Sequence, residues 1–415
     1  MKSDAGALAR YQTRKRRRVH IVIDDIEPQS KKMSETDRDR FQAAVAEQLT
    51  SAKRSTLTGG VALKIDLATT NRNAPQAHTI AKNLLDLLGV RRPNVSWPRS
   101  HLLYKDDRQI QALSVSCRHG ESHPSIRIEA RPFAAMLDDL ELATEVRRSI
   151  EMNTDYLQEQ DREADWIKTF RDLKDNEADN RHRFGNEAYE GLLKVARWHA
   201  QRTLLKSSGV NIPILNWMYG RPKGIPTGFE KEMWARLVRE SKLRLQVGEL
   251  PITSGSSDVF KQNVLKEISA FKNRLDWIIS PLVVAVDLEV IIRPNPATPS
   301  AVLHDLDNIV RDYLLPGIVP TFGTVSDHRW TIDFYELQKN NPEFAAYWGP
   351  NPTPPRGTKS GVTRYEAWRL PAVIGESGFV SVALIADMDA TGDRMDEIDK
   401  SIRKWPPNNN RRSRY

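Results

Sequence analysis

One cysteine, Cys117, is all the thiol chemistry in this chain. An internal disulfide framework is therefore excluded, as is a zinc site built on cysteines, and the composition fits a reducing cytosol. No run of 18 apolar residues occurs, and the first residues lack the apolar core of a secretory signal. The expectation is a soluble protein with no membrane partner, cytoplasmic, and at the nucleoid if its source is bacterial. With 415 residues, the chain has length for two or three domains that each bury a core.

Basic charge is present but unevenly placed. Residues 1–20 and 400–415 each carry a net +6, so removing both from the total of +8 leaves the body at −4. The run Arg14, Lys15, Arg16, Arg17 and Arg18 reads as a DNA-contacting tail, because concentrated positive charge is drawn to a polyanion. Solubilising, disordered ends explain the same composition equally well.

Two stretches repeat one order of elements. The first runs from an alternating strand at Val19–Ile23 through a helix at about 35–53 to a strand at Val61–Leu67. A loop rich in Pro and Asn leads to a helix near 77–89, the acidic turn Asp106-Asp107-Arg108-Gln109, and strands near 110–118 and 125–131. The second offers a strand within Leu243–Leu250, a helix over Asp258–Trp277 and a long β-branched strand at Pro281–Ile292. A Pro-rich loop, a helix, Ser326-Asp327-His328-Arg329, and strands near 363–370 and 378–386 complete it. The economical fold class is α+β: two duplicated α+β units joined by a helical, partly acidic spacer. The corresponding division is a basic tail (1–18), a first unit (19–135), the spacer (136–242), a second unit (243–390), and a short helix with a basic tail (391–415). The loop at about 338–361 is long for a compact domain.

Chemistry concentrates in His304-Asp305-Leu306-Asp307-Asn308, which opens the helix of the second unit. Carboxylates gathered this way suit Mg²⁺, which takes hard oxygen ligands together with water. Asp305 and Asp307, two apart in an extended segment, would share a face. The plainer account is a helix start, since Asp and Asn are favoured N-caps, and capping is the expected role of Asn308. His304 and His328 flank the acids and read as polar decoration more readily than as ligands.

The order of strand, Pro-containing loop, D-x-D-N at a helix start, basic helix residue, acidic turn and paired strands resembles the RusA-type Holliday-junction resolvases. The resemblance covers roughly 19–132 and 243–388. It implies a small α+β domain that acts as a homodimer and cuts branched DNA with Mg²⁺, Mn²⁺ being the alternative ion. Carried onto this sequence, the metal ligands are Asp305, Asp307 and Asp327, with Arg311 where the family has a lysine. Those four residues form the expected catalytic set. The first unit keeps the basic position as Lys82 and a fuller acidic turn in Asp106 and Asp107. It has Gln76 and His78 where the two D-x-D acids belong, so His78, Lys82, Asp106 and Asp107 form a vestigial or secondary site, to which Asp66 could add a ligand.

The leading expectation is thus a Mg²⁺-dependent, structure-selective endodeoxyribonuclease of recombination and repair, acting on junction DNA as a homodimer or as a monomeric pseudo-dimer. Two alternatives belong to other classes. One is a non-catalytic binder of branched or duplex DNA with a decayed nuclease fold. The other is a protein-interaction scaffold that would expose an apolar helix face between the units.

Overall fold

The computed structural model describes residues 4–71, 76–151, 155–220, 238–252, 257–284, 286–299, 303–322, 362, 364–386 and 392–404. The strands are β1 (Val19–Asp24), β2 (Val61–Thr69), β3 (Ile110–His119), β4 (Ser125–Pro132), β5 (Leu245–Gly248), β6 (Val286–Arg293), β7 (Arg364–Arg369) and β8 (Phe379–Ala386). They form one mixed sheet in the order β1-β4-β2-β3-β7-β6-β8-β5. In the first half β4 pairs antiparallel with β1 and β2, and β2 runs parallel to β3. In the second half β8 pairs antiparallel with β5 and β6, and β6 runs parallel to β7. The two halves thus share one strand order and one set of directions. They join through β3 and β7, antiparallel, with Ser114 opposite Glu366.

Both faces of this sheet are covered, which is why β6 and β8 are buried along their whole length. The helices of the first half are α1 (Asp4–Arg16), α2 (Glu35–Ser51), α3 (Ala77–Gly89) and α4 (Phe133–Glu151). There follow α5 (Asp155–Asp175), α6 (Glu177–Phe184), α7 (Asn186–Ser207) and α8 (Ile212–Met218), then helices at Ser257–Ile279 and Arg394–Arg403. On one face Leu63, Ile65, Leu288 and Val290 meet Phe41 and Val45 of α2, Leu84 of α3, and Phe260, Val264 and Ile268. On the other, Ala62, Ala112, Ile291 and Trp368 meet Tyr11, Met136 and Leu140, Ile212 and Leu215, and Met395 and Ile398. Charges on that second face are paired, as buried charges must be: Glu289 takes Arg244 (2.6 Å), Arg394 (3.2 Å) and the backbone N–H of Val210 (2.9 Å).

Two expectations change here. The first basic run is no solvated arm, because α1 packs through the buried Tyr11. Arg14 binds Asp139 (2.7 Å), while Arg18, 3% exposed, binds Asp399 (2.5 Å), Glu129 (3.0 Å) and Asp139 (3.1 Å). Arg18 is therefore unavailable to DNA, whereas Arg16 and Arg17 stay exposed. The stretch expected as a spacer also builds the core. Ala200, Leu204 and Leu205 of α7 are buried, and Gln201 Nε2 donates to the carbonyl oxygens of Ile278 (2.7 Å) and Pro281 (2.8 Å). Among the described residues of that stretch the exposed large apolar side chains are Phe184 and Leu192. No helix among the described residues is long and apolar enough to cross a membrane.

Candidate metal centre

Because β3 and β7 run antiparallel, the sheet end where β6 and β7 finish is the end where β2 and β3 begin. The turn before β3 and the segment after β6 therefore meet, one from each half. In the first, Asp106 caps a 3₁₀ turn, Asp107–Gln109. Its carboxylate accepts from Arg108 N (2.8 Å) and pairs with the Arg108 guanidinium (2.6 Å), while Gln109 Oε1 accepts from Lys105 N and Asp106 N (2.8 and 3.1 Å). With Asp106 and Gln109 engaged in this capping box, Asp107 is left facing the second half. There Asp305, extended at φ −65° and ψ 143°, precedes a short helix, Leu306–Asn308. Leu306 turns into the core and Asp307 comes round beside Asp305. The two acids thus converge from a cap and a first turn, not from an extended segment. The chain continues as a π-helical stretch, Ile309–Leu314, of a kind frequent at functional sites.

Oxygens of Asp107, Asp305 and Asp307 all lie within 4.8 Å of one another. Among the described residues the acid that joins Asp305 and Asp307 is Asp107 of the first half; Asp327 and His328, expected from the sequence, lie outside the described residues. Lys82 enters from α3, its Nζ 3.2 Å from Asp86, 3.3 Å from Asp107 and 3.5 Å from Asp307. Burial opposes the lysine's charge, but Asp307, Asp107 and Asp86 outweigh it and hold the pKa above its ordinary value. Burial pushes Asp307 up to about 6, with Lys82 pulling down and Asp107 and Asp305 pushing further up. Asp107 is raised too, by burial first and against the pull of Lys82. Asp307 is 2% exposed and its Oδ2 accepts no hydrogen bond. Among the described residues that oxygen has only the Lys82 ammonium, at 3.5 Å, as a positive partner, so three carboxylates share one lysine and the cluster carries excess negative charge. The cluster opens to solvent through a 340 Å³ cleft lined by Asp106, Arg108, Leu303, His304 and Asn308 beside the acids.

Supporting contacts hold this geometry. Asn308 Nδ2 donates to Asp305 Oδ2 (2.9 Å), and its Oδ1 accepts from Arg311 Nη2 (2.9 Å), so Asn308 orients an acid where capping had been expected. Arg369, buried at the end of β7, donates to the carbonyl oxygens of Arg108 (3.1 Å) and His304. It ties together the two backbone segments that carry Asp107 and Asp305. Arg369→Met keeps every carboxylate and the lysine, yet should lower Mn²⁺ affinity 10- to 100-fold, the usual cost of losing an outer-shell partner. Calorimetric titration reads this directly, and unchanged affinity would show that the segments hold their places without the tie.

The remaining sequence candidates are used differently. Arg311 pairs with its neighbour Asp312 (2.6 Å). His304 Nε2 lies 2.6 Å from the carbonyl oxygen of Pro251, and its ring meets Tyr313 edge-on. Asp66 accepts from Ser116 Oγ (2.5 Å) and pairs with Lys64 (3.6 Å), so it adds nothing to Asp106 and Asp107. Gln76, His78 and Lys82 have the spacing of Asp305, Asp307 and Arg311, and His78 feels Arg311 as Asp307 feels Lys82. Burial first, and Arg311 second, lower His78 to about 4, so it is neutral at pH 7. A neutral imidazole and an amide make a poor site for a hard cation. Arg369 and Asp86 went unnoticed in the sequence, for no local pattern marks a strand-end arginine or an exposed helix acid. Comparison with protein-family models, with curated proteins and with solved structures gave no match for this chain.

Proposed function

We propose that this chain is a Mg²⁺-dependent endodeoxyribonuclease, able to use Mn²⁺, that cuts phosphodiesters in branched DNA through one composite centre. The two halves are read as diverged copies of a RusA-like domain, arranged as an intrachain pseudo-dimer. The observation that carries this is the convergence of Asp305 and Asp307 from one half with Asp107 and Lys82 from the other. Three acids offer the oxygen donors that Mg²⁺ prefers, and one lysine leaves part of their negative charge unbalanced. A divalent ion, when bound, offsets the phosphodiester's charge and stabilises its leaving oxygen. Lys82, protonated at neutral pH, supplies a fixed positive donor where negative charge gathers during phosphoryl transfer. Its raised pKa suits a donor and disqualifies it as a general base. The test is incision of a labelled four-way junction with Mg²⁺: cutting near the branch supports the reading, and an intact junction at saturating protein and metal overturns it.

A second reading, non-catalytic DNA binding, has one observation in its favour. Lys82 already sits among the acids and partly neutralises them. Stability separates the two readings. The folded pKa of Asp307 lies above the ordinary 3.8, so the folded state holds that proton more tightly than the unfolded chain does. Its contribution is therefore fully present below about pH 4 and is lost as pH rises through about 6. The difference is on the order of 3 kcal/mol as a ceiling, because Lys82 loses a partner when Asp307 is replaced. Asp307→Asn should raise the Tm of the metal-free protein at pH 7.5, and Mg²⁺ should raise the Tm of the wild type but not of the variant. A wild-type Tm that millimolar Mg²⁺ leaves unmoved favours the ion-pair reading.

A further inference from the structure

A basic pocket opens at the same end of the sheet as the metal centre. It measures 380 Å³ and lies between the end of α1, the last turn of α2 and the end of β4, with Arg14, Arg17, Lys53, Arg54, Arg131 and Asp139 in its walls. Part of that charge is already balanced. Asp139, fully buried, takes Arg14 (2.7 Å), Arg131 (2.8 Å) and, from behind, Arg18 (3.1 Å), and Arg18 also holds Asp399 and Glu129. Three arginines and three acids cancel there. Arg17, Lys53 and Arg54 have no carboxylate partner among the described residues. Arg54 Nε, together with Nε and Nη2 of the 2%-exposed Arg131, is buried without an acceptor. Three charges without a carboxylate partner around a small open pocket, with Ser55 in its wall and Arg54 steadied by its bond to the Arg16 carbonyl oxygen (2.5 Å), fit a phosphate group.

Its position points to the source of that phosphate. β4 pairs with β2 and β2 with β3, so Arg131 stands level with Ala112, two strand spacings (~10 Å) across the sheet, and the turn bearing Asp107 lies further out at the same sheet end. Gln109 Nε2 donates to the carbonyl oxygens of Leu57 (3.3 Å) and Gly59 (2.9 Å), fixing the Leu57 wall of the pocket to the metal-centre turn. We propose that this pocket seats a backbone phosphate of the DNA at a fixed offset from the bond that is cut, and so selects which bond reaches the metal centre. The selection of a bond rests on the nuclease reading; the phosphate seat does not.

The experiment measures four-way-junction affinity against salt in EDTA, where no cutting occurs. Arg17→Gln with Lys53→Gln, both at exposed positions, should lower the slope of log affinity against log salt by ~0.9 for each phosphate no longer neutralised. Adding Arg54→Gln should lower it further. Lys404→Gln, an exposed charge at the opposite end of the sheet, should leave the slope alone. With Mg²⁺ restored, the double variant should scatter its incisions over neighbouring bonds. Inorganic phosphate followed by ³¹P line broadening forms the second arm. An unchanged DNA slope overturns the proposal, and unchanged DNA binding with abolished phosphate broadening assigns the pocket to free phosphate instead. A lowered slope in a wild type that never cuts keeps the seat and overturns only the nuclease reading.

Discussion

Asp107→Asn should abolish junction incision as completely as Asp305→Asn or Asp307→Asn, although it lies some two hundred residues away in the half that lacks D-x-D. Oxygens of all three lie within 4.8 Å of one another, so under the proposed function losing any of them would remove a ligand from the same ion. Outer-shell partners of a metal site cost 10- to 100-fold when removed, so a direct ligand should cost at least about 100-fold. DNA binding should persist or tighten, since an acid beside phosphates repels them. Lys82→Met should also cut the rate sharply while leaving metal affinity intact or improved, because its ammonium competes for the same oxygens. His78→Ala should change little, as a neutral imidazole beside Arg311 offers nothing to a hard cation. Full activity in Asp107→Asn, measured as single-turnover incision at saturating DNA, would refute the composite centre.

The second large effect concerns how many strands are cut. A pair of equal sites opens two strands in one encounter, but here the second corner has Gln76 and His78 in place of acids. One chain should nick one strand, giving an open circle from a cruciform-bearing supercoiled plasmid. The second cut should then depend on enzyme concentration, because it needs another molecule. Linearisation at a rate independent of concentration, at limiting protein, would show two working sites in one chain.

Much of the fold was legible because its strands and helices carry strong periodic signals. The helix expected near 77–89 is Ala77–Gly89, and the strands expected at 110–118 and 378–386 are Ile110–His119 and Phe379–Ala386. These segments owe their form to apolar spacing that reads locally. The joining of β3 to β7 was not legible, since it is a pairing between distant segments of equal β character. That pairing decides the site. Read one unit at a time, the pattern groups Asp305 and Asp307 with Asp327, which lies outside the described residues, and leaves Lys82 and Asp107 in a vestigial or secondary site. The clue was present in what each unit carries: one has the D-x-D acids, the other the lysine and the acidic turn. Buried roles were equally hidden. Arg18 looks like its basic neighbours in sequence, yet it balances three acids under α1 while Arg17 faces solvent.

Anomalous diffraction from crystals soaked in Mn²⁺ tests the central claim most directly. A peak should appear between Asp107, Asp305 and Asp307, with oxygens of both halves around it and Lys82 Nζ moved toward Asp86. No peak should appear beside Gln76 and His78. A peak ligated by residues of one half alone, or none at the three acids under millimolar Mn²⁺, would contradict a metal centre shared between the halves.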